Sequence, residues 1–362
     1  MSIIIKNVLL KNKIRDIYIE ENKIKEINEK ISHEAEFKIN GKNKAVIPSF
    51  INAHTHAAMT LMRGYADDMV LDEWLQNKIW PLEGKLTEED VYQGSKLACL
   101  EMIKSGTTFF NDMYWHYHGT AKAVEEMGIR SAVSAVFIDL FDKAKADEQI
   151  KLNKKLFEET KKYSDRVIFA LGPHAIYTVS EESLHWAKEF ADKNNVPLHI
   201  HVSESKKEVD DCLKQHKLRP VEYLEKIGFL GHNVIACHSI WLDDKEIQIL
   251  KKNDVKIAHN PASNMKLCSG VFPYEKIKKA QLTIALGTDG CASNNNLDML
   301  EEVKIASLLQ KLNDNNPTVM PATEAFDLAT INGAKAFGLN CGEIKEGKLA
   351  DLLLIDLKNV QM

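Results

Sequence analysis

The segment INAHTHAA places His54 and His56 two residues apart. If the apolar run leading into it is a β-strand, residues i and i+2 share a face, and both imidazoles can reach one metal ion. A His-X-His alone fits equally a polar strand end or a histidine bonded to a backbone carbonyl. His199 and His201 in HIHVSES repeat the spacing, with His199 one pleat deeper, where it reads as packed or as the partner of a ligand. Asp289 in LGTDG ends an apolar run before a glycine. A carboxylate there either completes a mostly imidazole set around a Lewis-acidic ion or caps a turn. Asp112, His174, Glu204, His238 and His259 also stand at or just past the ends of apolar runs.

Those runs define the elements that must position the chemistry. Eight of them, 45–54, 107–114, 131–139, 167–174, 196–201, 234–238, 255–259 and 283–289, alternate with amphipathic stretches at 88–105, 119–127, 147–163, 181–193, 220–226, 243–252 and 297–312. Eight βα alternations in this length predict a closed (β/α)8 TIM barrel, an α/β fold whose strand ends converge on one mouth. Residues 1–47 read as short strands at 2–10, 16–20 and 24–27. Residues 342–357, GEIKEGKLADLLLIDL, read as a hairpin joining them. The expected organisation is a barrel over 48–340 and a small β-sandwich domain built from 1–47 and 341–362.

The composition excludes other classes. With 362 residues, 44% hydrophobic, the chain can bury a large core. Lys plus Arg number 47 against 52 Asp plus Glu, with no basic block, which argues against a nucleic-acid partner. Six cysteines without a CxxC pair argue against a disulfide framework or a thiolate zinc site and fit a reducing cytoplasm. Neither a cleavable leader nor a membrane span is expected.

The order of the motifs brings a family into view: HTH at the first strand, GPH at the fourth, HxHxxE at the fifth, ACH at the sixth, HNPxSN at the seventh and GTDGxxSN after the eighth. This order resembles the amidohydrolase superfamily over nearly the whole chain. PSFINAHTHAAMTLMRGYADD, WLQNKIWPLE, LEMIKSGTTFFNDMY and GTDGCASNNNLDM look like the 5-methylthioadenosine/S-adenosylhomocysteine deaminases and their adenosine-type relatives. The resemblance implies one Zn2+ per subunit, with Fe2+ or another divalent ion open, held by His54, His56, His201 and Asp289. Two-metal relatives carry a lysine at the fourth strand end, where this chain has His174. By the same resemblance Asp289 moves the water's proton, Glu204 protonates the ring, and His238 orients the attacking oxygen. Glu83 would bind ribose hydroxyls, with His174, Glu204 and Ser293 as further substrate contacts. Trp74, Trp80 and Met62 are expected to wall the base site, or else to be core.

The implied reaction is hydrolysis of the 6-amino group of an adenosine derivative, such as 5-methylthioadenosine, 5′-deoxyadenosine, adenosine or S-adenosylhomocysteine. The last fits least, because no arginine lies between Arg130 and Arg166 to hold an amino-acid carboxylate. Lys143 or Lys145 would have to substitute. Two alternatives stand beside it: a deaminase or chlorohydrolase of a free base, pterin or s-triazine, and a non-catalytic binding barrel. The partner expected is a small nucleoside, with homo-oligomerisation left open. Relatives continue beyond the ADLLLID segment, so the small β domain is expected to be incomplete.

Overall fold

A computed structural model describes residues 1–359. Alternating β-branched residues make the first sheet. β1 (Ser2–Leu10), β2 (Lys13–Glu20) and β3 (Lys23–Asn28) form an antiparallel meander. The first turn puts both Lys11 and Asn12 at positive φ, as a two-residue hairpin loop of this hand requires. β4 (Phe37–Asn40) lies parallel to the first half of β1, and β5 (Lys44–Pro48) meets its end at Leu9. Ile5, Val8, Ile17, Ile19, Ile24 and Val46 form this sheet's own apolar core.

The run 45–54, expected as one strand, is two. Pro48 ends β5, since it has no N–H to continue a ladder. The chain then enters the barrel as β6 (Phe50–Thr55). β7 (Thr107–Tyr114) and β8 (Arg130–Phe137) follow in parallel. The fourth position is shared by β9 (Val167–Phe169) and β10 (Gly172–Pro173), both paired to β8. β11 (Leu198–Val202), β12 (Val234–His238), β13 (Lys256–His259) and β14 (Ile284–Leu286) form the other parallel half. Bridges Leu171–Leu198 and Ala175–His201 join the halves on one side. On the other, the Asp289 N–H donates to the His54 carbonyl at 3.0 Å. Gly287 permits that closure, because a Cβ there would lie 2.7 Å from the His54 nitrogen. The result is the (β/α)8 barrel that the eight runs implied.

Most barrel helices keep their expected extents. Glu88–Ser105 is started by a reciprocal Thr87/Asp90 cap and stopped by Gly106 at φ 95. Two further parts were not expected: the helix Lys206–His216, and the short turns between Ala57 and Glu83, which carry no clean apolar period. The second group folds over the mouth. The hairpin expected at 342–357 is a single strand, β15 (Leu352–Asp356), antiparallel to β5. Gly342 and Gly347, both at φ 84, turn the preceding residues, which meet the start of β3 through the single bridge Lys23–Leu349. The two terminal segments thus share one six-stranded mixed sheet, and residues 360–362 of the segment 341–362 lie outside the described residues. Among the described residues no helix is long and apolar enough to cross a membrane.

Candidate metal centre and active site

Three imidazoles meet at the barrel mouth. His54 is fully buried near the end of β6, His56 follows it, and His201 sits on β11. Their ligand atoms lie within 4.8 Å of one another, and a second group of that size joins His54 to His238 and Asp289. Each ring is fixed by what faces Nδ1. His56 Nδ1 donates to the Met113 carbonyl at 2.6 Å, and His201 Nδ1 donates to the His174 carbonyl at 2.8 Å. A carbonyl only accepts, so both Nδ1 atoms carry the proton and both Nε2 lone pairs are free. His54 Nδ1 is 2.7 Å from His199 Nε2, so the deeper histidine of the second pair orients a ligand of the first. Burial holds His54 and His201 below the ordinary imidazole range, in the neutral form a metal requires.

Asp289 completes the set. Its Oδ1 is 3.4 Å from His54 Nε2 and 3.3 Å from His56 Nε2, and it accepts from the Gly290 N–H at 2.8 Å. Its Oδ2 accepts from the hydroxyls of Ser263 at 2.6 Å and Ser293 at 3.0 Å. The residues fit a divalent ion: His54 Nε2 is buried without a hydrogen-bond partner, beside a carboxylate and two further free imidazole lone pairs. Cys237 also lies near His54 and His199, but burial raises its thiol well above the ordinary range and so disfavours the thiolate that a metal takes.

His238 has the opposite polarity. Its Nδ1 faces the side-chain amides of Asn264 at 2.9 Å and Asn260 at 3.3 Å, which donate to it. The proton therefore sits on Nε2, 3.8 Å from Glu204 Oε2. Glu204 is 6% exposed, and burial, reinforced by the Asp289 charge, raises its carboxyl well above the ordinary range.

The cavity beside these groups, about 60 Å3, is lined by His56, His174, Glu204, His238, Asp289 and the mouth residues Trp74 and Trp80. It adjoins a cavity of 720 Å3 across Trp80, Glu83, Trp115, Val136 and Ile138. Glu83 is buried in that shared wall, accepting from Trp115 Nε1 at 3.1 Å, and burial raises its carboxyl. His174 lines the inner cavity, with its Nδ1 at 2.9 Å from the Thr178 hydroxyl. Ser293 lines it too, although its hydroxyl is spent on Asp289.

Several sequence expectations move. Met62 does not line the cavity; it packs with Trp74 and Ile79, and the lining methionines are Met59 and Met113. Lys143 is exposed and paired with Asp147 and Glu182, and neither it nor Lys145 lines the cavities. Arg130 is bonded to Asp351, at the opposite end of β8 from the mouth. His259 stacks on Phe272 within the core. Asp112 accepts from the Ala57 N–H at 2.7 Å, holding the chain just after His56, and burial raises its carboxyl to about 6. Sequence reasoning gave no role to Asn260, Ser263 or Asn264, although the run HNPASN gathers three amide and hydroxyl side chains at a strand end.

An imidazole and carboxylate centre at the mouth of a parallel barrel defines a class, the metal-dependent hydrolases built on this fold. The chain belongs to the amidohydrolase family, whose pattern matches residues 45–362. It is 53% identical over 96% of its length to a 5-methylthioadenosine/S-adenosylhomocysteine deaminase of Archaeoglobus fulgidus, of which it covers 82%. It is 48% identical over 98% to a 5′-deoxyadenosine deaminase of Methanocaldococcus jannaschii, covering 86% of that protein. Among solved structures, a zinc-bound adenosine deaminase of Xanthomonas campestris superposes with a TM-score of 0.92 at 33% identity, over 99% of this chain and 84% of that one.

Proposed function

We propose that the protein hydrolyses the 6-amino group of an adenosine derivative, releasing ammonia. The observation that carries the reading is the opposed protonation of the histidines: His54, His56 and His201 can offer lone pairs to a metal, whereas His238 offers an N–H. In this reading residues 48–340 form the metal-dependent barrel, and 1–47 with 341–362 the small β domain. His54, His56, His201 and Asp289 hold one ion, with zinc favoured by the mixed nitrogen and oxygen donor set. When bound, such an ion supplies Lewis acidity and brings the pKa of water into the neutral range.

The chain's own groups do the rest. Asp289 takes the proton given up by the water and returns it to the leaving amine. Glu204, kept protonated by burial, donates to the ring nitrogen next to the attacked carbon and regains a proton from the added hydroxyl as ammonia leaves. His238 Nε2–H donates to the oxygen added there and stabilises the charge that develops on it. Glu83 accepts from the ribose hydroxyls and His174 contacts the base side. Ser293 acts on substrate only through Asp289.

The inner cavity is smaller than the ~300–1,000 Å3 usual for such sites, so the base enters as the mouth segment of Trp74 and Trp80 yields. The 5′ side lies towards the adjoining cavity. Leu86, Val136, Ile138, Leu152 and Leu156 line it, and its lysine, Lys155, lies 3.9 Å from Glu159 and lacks the bidentate fork of an arginine, which favours an uncharged 5′ substituent over an amino acid. The test is ammonia release from a panel of adenosine derivatives, guanine, cytosine and s-triazines by the metal-loaded protein. Adenosine derivatives should turn over, and Glu83→Ala should lower their kcat/KM by about 10- to 100-fold. Turnover confined to free bases or triazines, indifferent to Glu83→Ala, would refute the nucleoside assignment.

A further inference from the structure

Glu208 is 6% exposed, lies one helical turn beyond Glu204, and has no role in the reaction as drawn above. Both of its oxygens are occupied. Oε1 accepts from the Ser203 N–H at 2.8 Å and Oε2 from the Glu204 N–H at 2.9 Å. It pairs with no lysine, arginine or histidine among the described residues, and among the charges acting on it is another carboxylate, Glu246. A buried carboxylate without a counter-ion is costly unless its donors are well placed, so the two N–H groups are what hold it there.

Those donors belong to the link between β11 and the helix Lys206–His216. Ser203 leaves the strand at φ 50, a left-handed turn that a serine adopts only when its surroundings enforce it. Its carbonyl accepts from the N–H groups of Ile240 and Trp241, at 3.1 and 3.0 Å, which anchor the far side of the same peptide. The helix itself is capped by Ser205, whose hydroxyl accepts from the Glu208 N–H at 3.1 Å. In an ordinary reciprocal cap the glutamate returns to the N–H of the capping residue. Here its carboxyl feels the Ser205 N–H as well but makes its close bonds to the two residues before it, one of which is Glu204 itself.

We propose that Glu208 is a positioning residue: its two oxygens clamp the Ser203 and Glu204 peptide N–H groups and thereby aim the Glu204 carboxyl at the reacting centre. The assignment rests on Glu204 being the proton donor. It requires two acceptor oxygens at this reach. Glutamine supplies one oxygen and sets an NH2 against the second N–H, and aspartate is a methylene too short.

The test compares Glu208→Gln with Ser205→Ala, which removes the helix cap and leaves both clamped N–H groups alone. For Glu208→Gln we expect kcat to fall roughly 100-fold, as for a reacting group misplaced by about 1 Å, with KM within about threefold and metal content by elemental analysis unchanged. Ser205→Ala should lower Tm while kcat stays within about twofold. If Glu208→Gln does not fold, Glu208→Asp is read in the same way. A crystal structure of the variant gives a second reading that needs no turnover: the Glu204 carboxyl should be displaced relative to the unaltered protein. An unchanged Glu204, an unchanged kcat, or an equal loss of kcat in Ser205→Ala overturns the proposal. Absence of deamination by the unaltered protein sinks the reaction instead, and the crystallographic comparison still decides the clamp.

Discussion

Glu302 offers a stability test of the polar scaffold behind Asp289. It sits fully buried on the helix Met299–Asn313, with Oε1 accepting from the Asn294 side chain at 2.7 Å and Oε2 from the Ala262 N–H at 3.2 Å. The residues adjacent to those donors, Ser293 and Ser263, are the two that donate to Asp289. Burial outweighs both bonds and pushes the Glu302 carboxyl from its ordinary 4.5 up to about 8. Between these values the folded protein keeps a proton that the unfolded chain has released. Unfolding then sheds a proton, so stability falls as pH rises from about 4.5 to 8 and levels off above. At about 1.4 kcal/mol per unit, the loss between pH 6 and 9 is about 3 kcal/mol. Glu302→Gln stays neutral throughout and forfeits one hydrogen bond, a cost of about 1 kcal/mol. Because the unfolded chain's Glu302 is already ionised at pH 6, in urea unfolding of metal-loaded protein the variant should be about 1 kcal/mol more stable at pH 6 and about 4 kcal/mol more stable at pH 9. Taking the difference between the two proteins cancels metal-linked protons common to both. A difference that moves by less than about 1 kcal/mol across this range refutes the account.

Glu204→Gln should lower kcat by roughly 10²- to 10⁴-fold with bound metal retained, measured by ammonia release and elemental analysis. Parallel loss of the metal would show that Glu204 acts on the centre itself. Asn264→Leu removes the nearer donor to His238 Nδ1. It should cost about tenfold or more in kcat with little change in KM, because the Nε2–H form is no longer enforced; unaltered kinetics would remove His238 tautomer control from the mechanism. Chelation should abolish turnover and lower Tm, and adding back zinc should restore both, because an ion that binds the folded chain alone stabilises it by mass action. Activity surviving complete metal removal contradicts the proposed centre.

The sequence carried the barrel because its signal is repeated: eight apolar runs with chemistry at their ends identify strand ends even where edges slip by a few residues. It did not carry the break at Pro48, since Lys44–Pro48 and Phe50–Thr55 are equally apolar and the change of sheet is decided by pairing with β15. The mouth segment between Ala57 and Glu83 was also hidden, because its short irregular turns have no period. His54, His56, His201 and Asp289 stood among the candidates at strand ends, and the family resemblance picked them out as the expected ligands. Glu208 and Glu302 could not be singled out, for on an amphipathic helix a buried glutamate and a solvated one look alike until the backbone N–H groups facing them are known.

The same limit separates the histidines at the mouth. Nothing in HTH, HIH or ACH distinguishes a residue that gives a lone pair from one that gives a proton. The distinction lies in the group opposite Nδ1, which for His56 and His201 is a carbonyl from a neighbouring strand and for His238 a pair of amides from the run HNPASN. A carbonyl cannot donate, and a neutral imidazole carries one N–H, so the acceptor behind each ring dictates what the front of it offers. Exchanging those partners would exchange the roles while leaving every histidine in place. The chemistry of this mouth is thus written as much in Met113, His174, Asn260 and Asn264 as in the rings they hold.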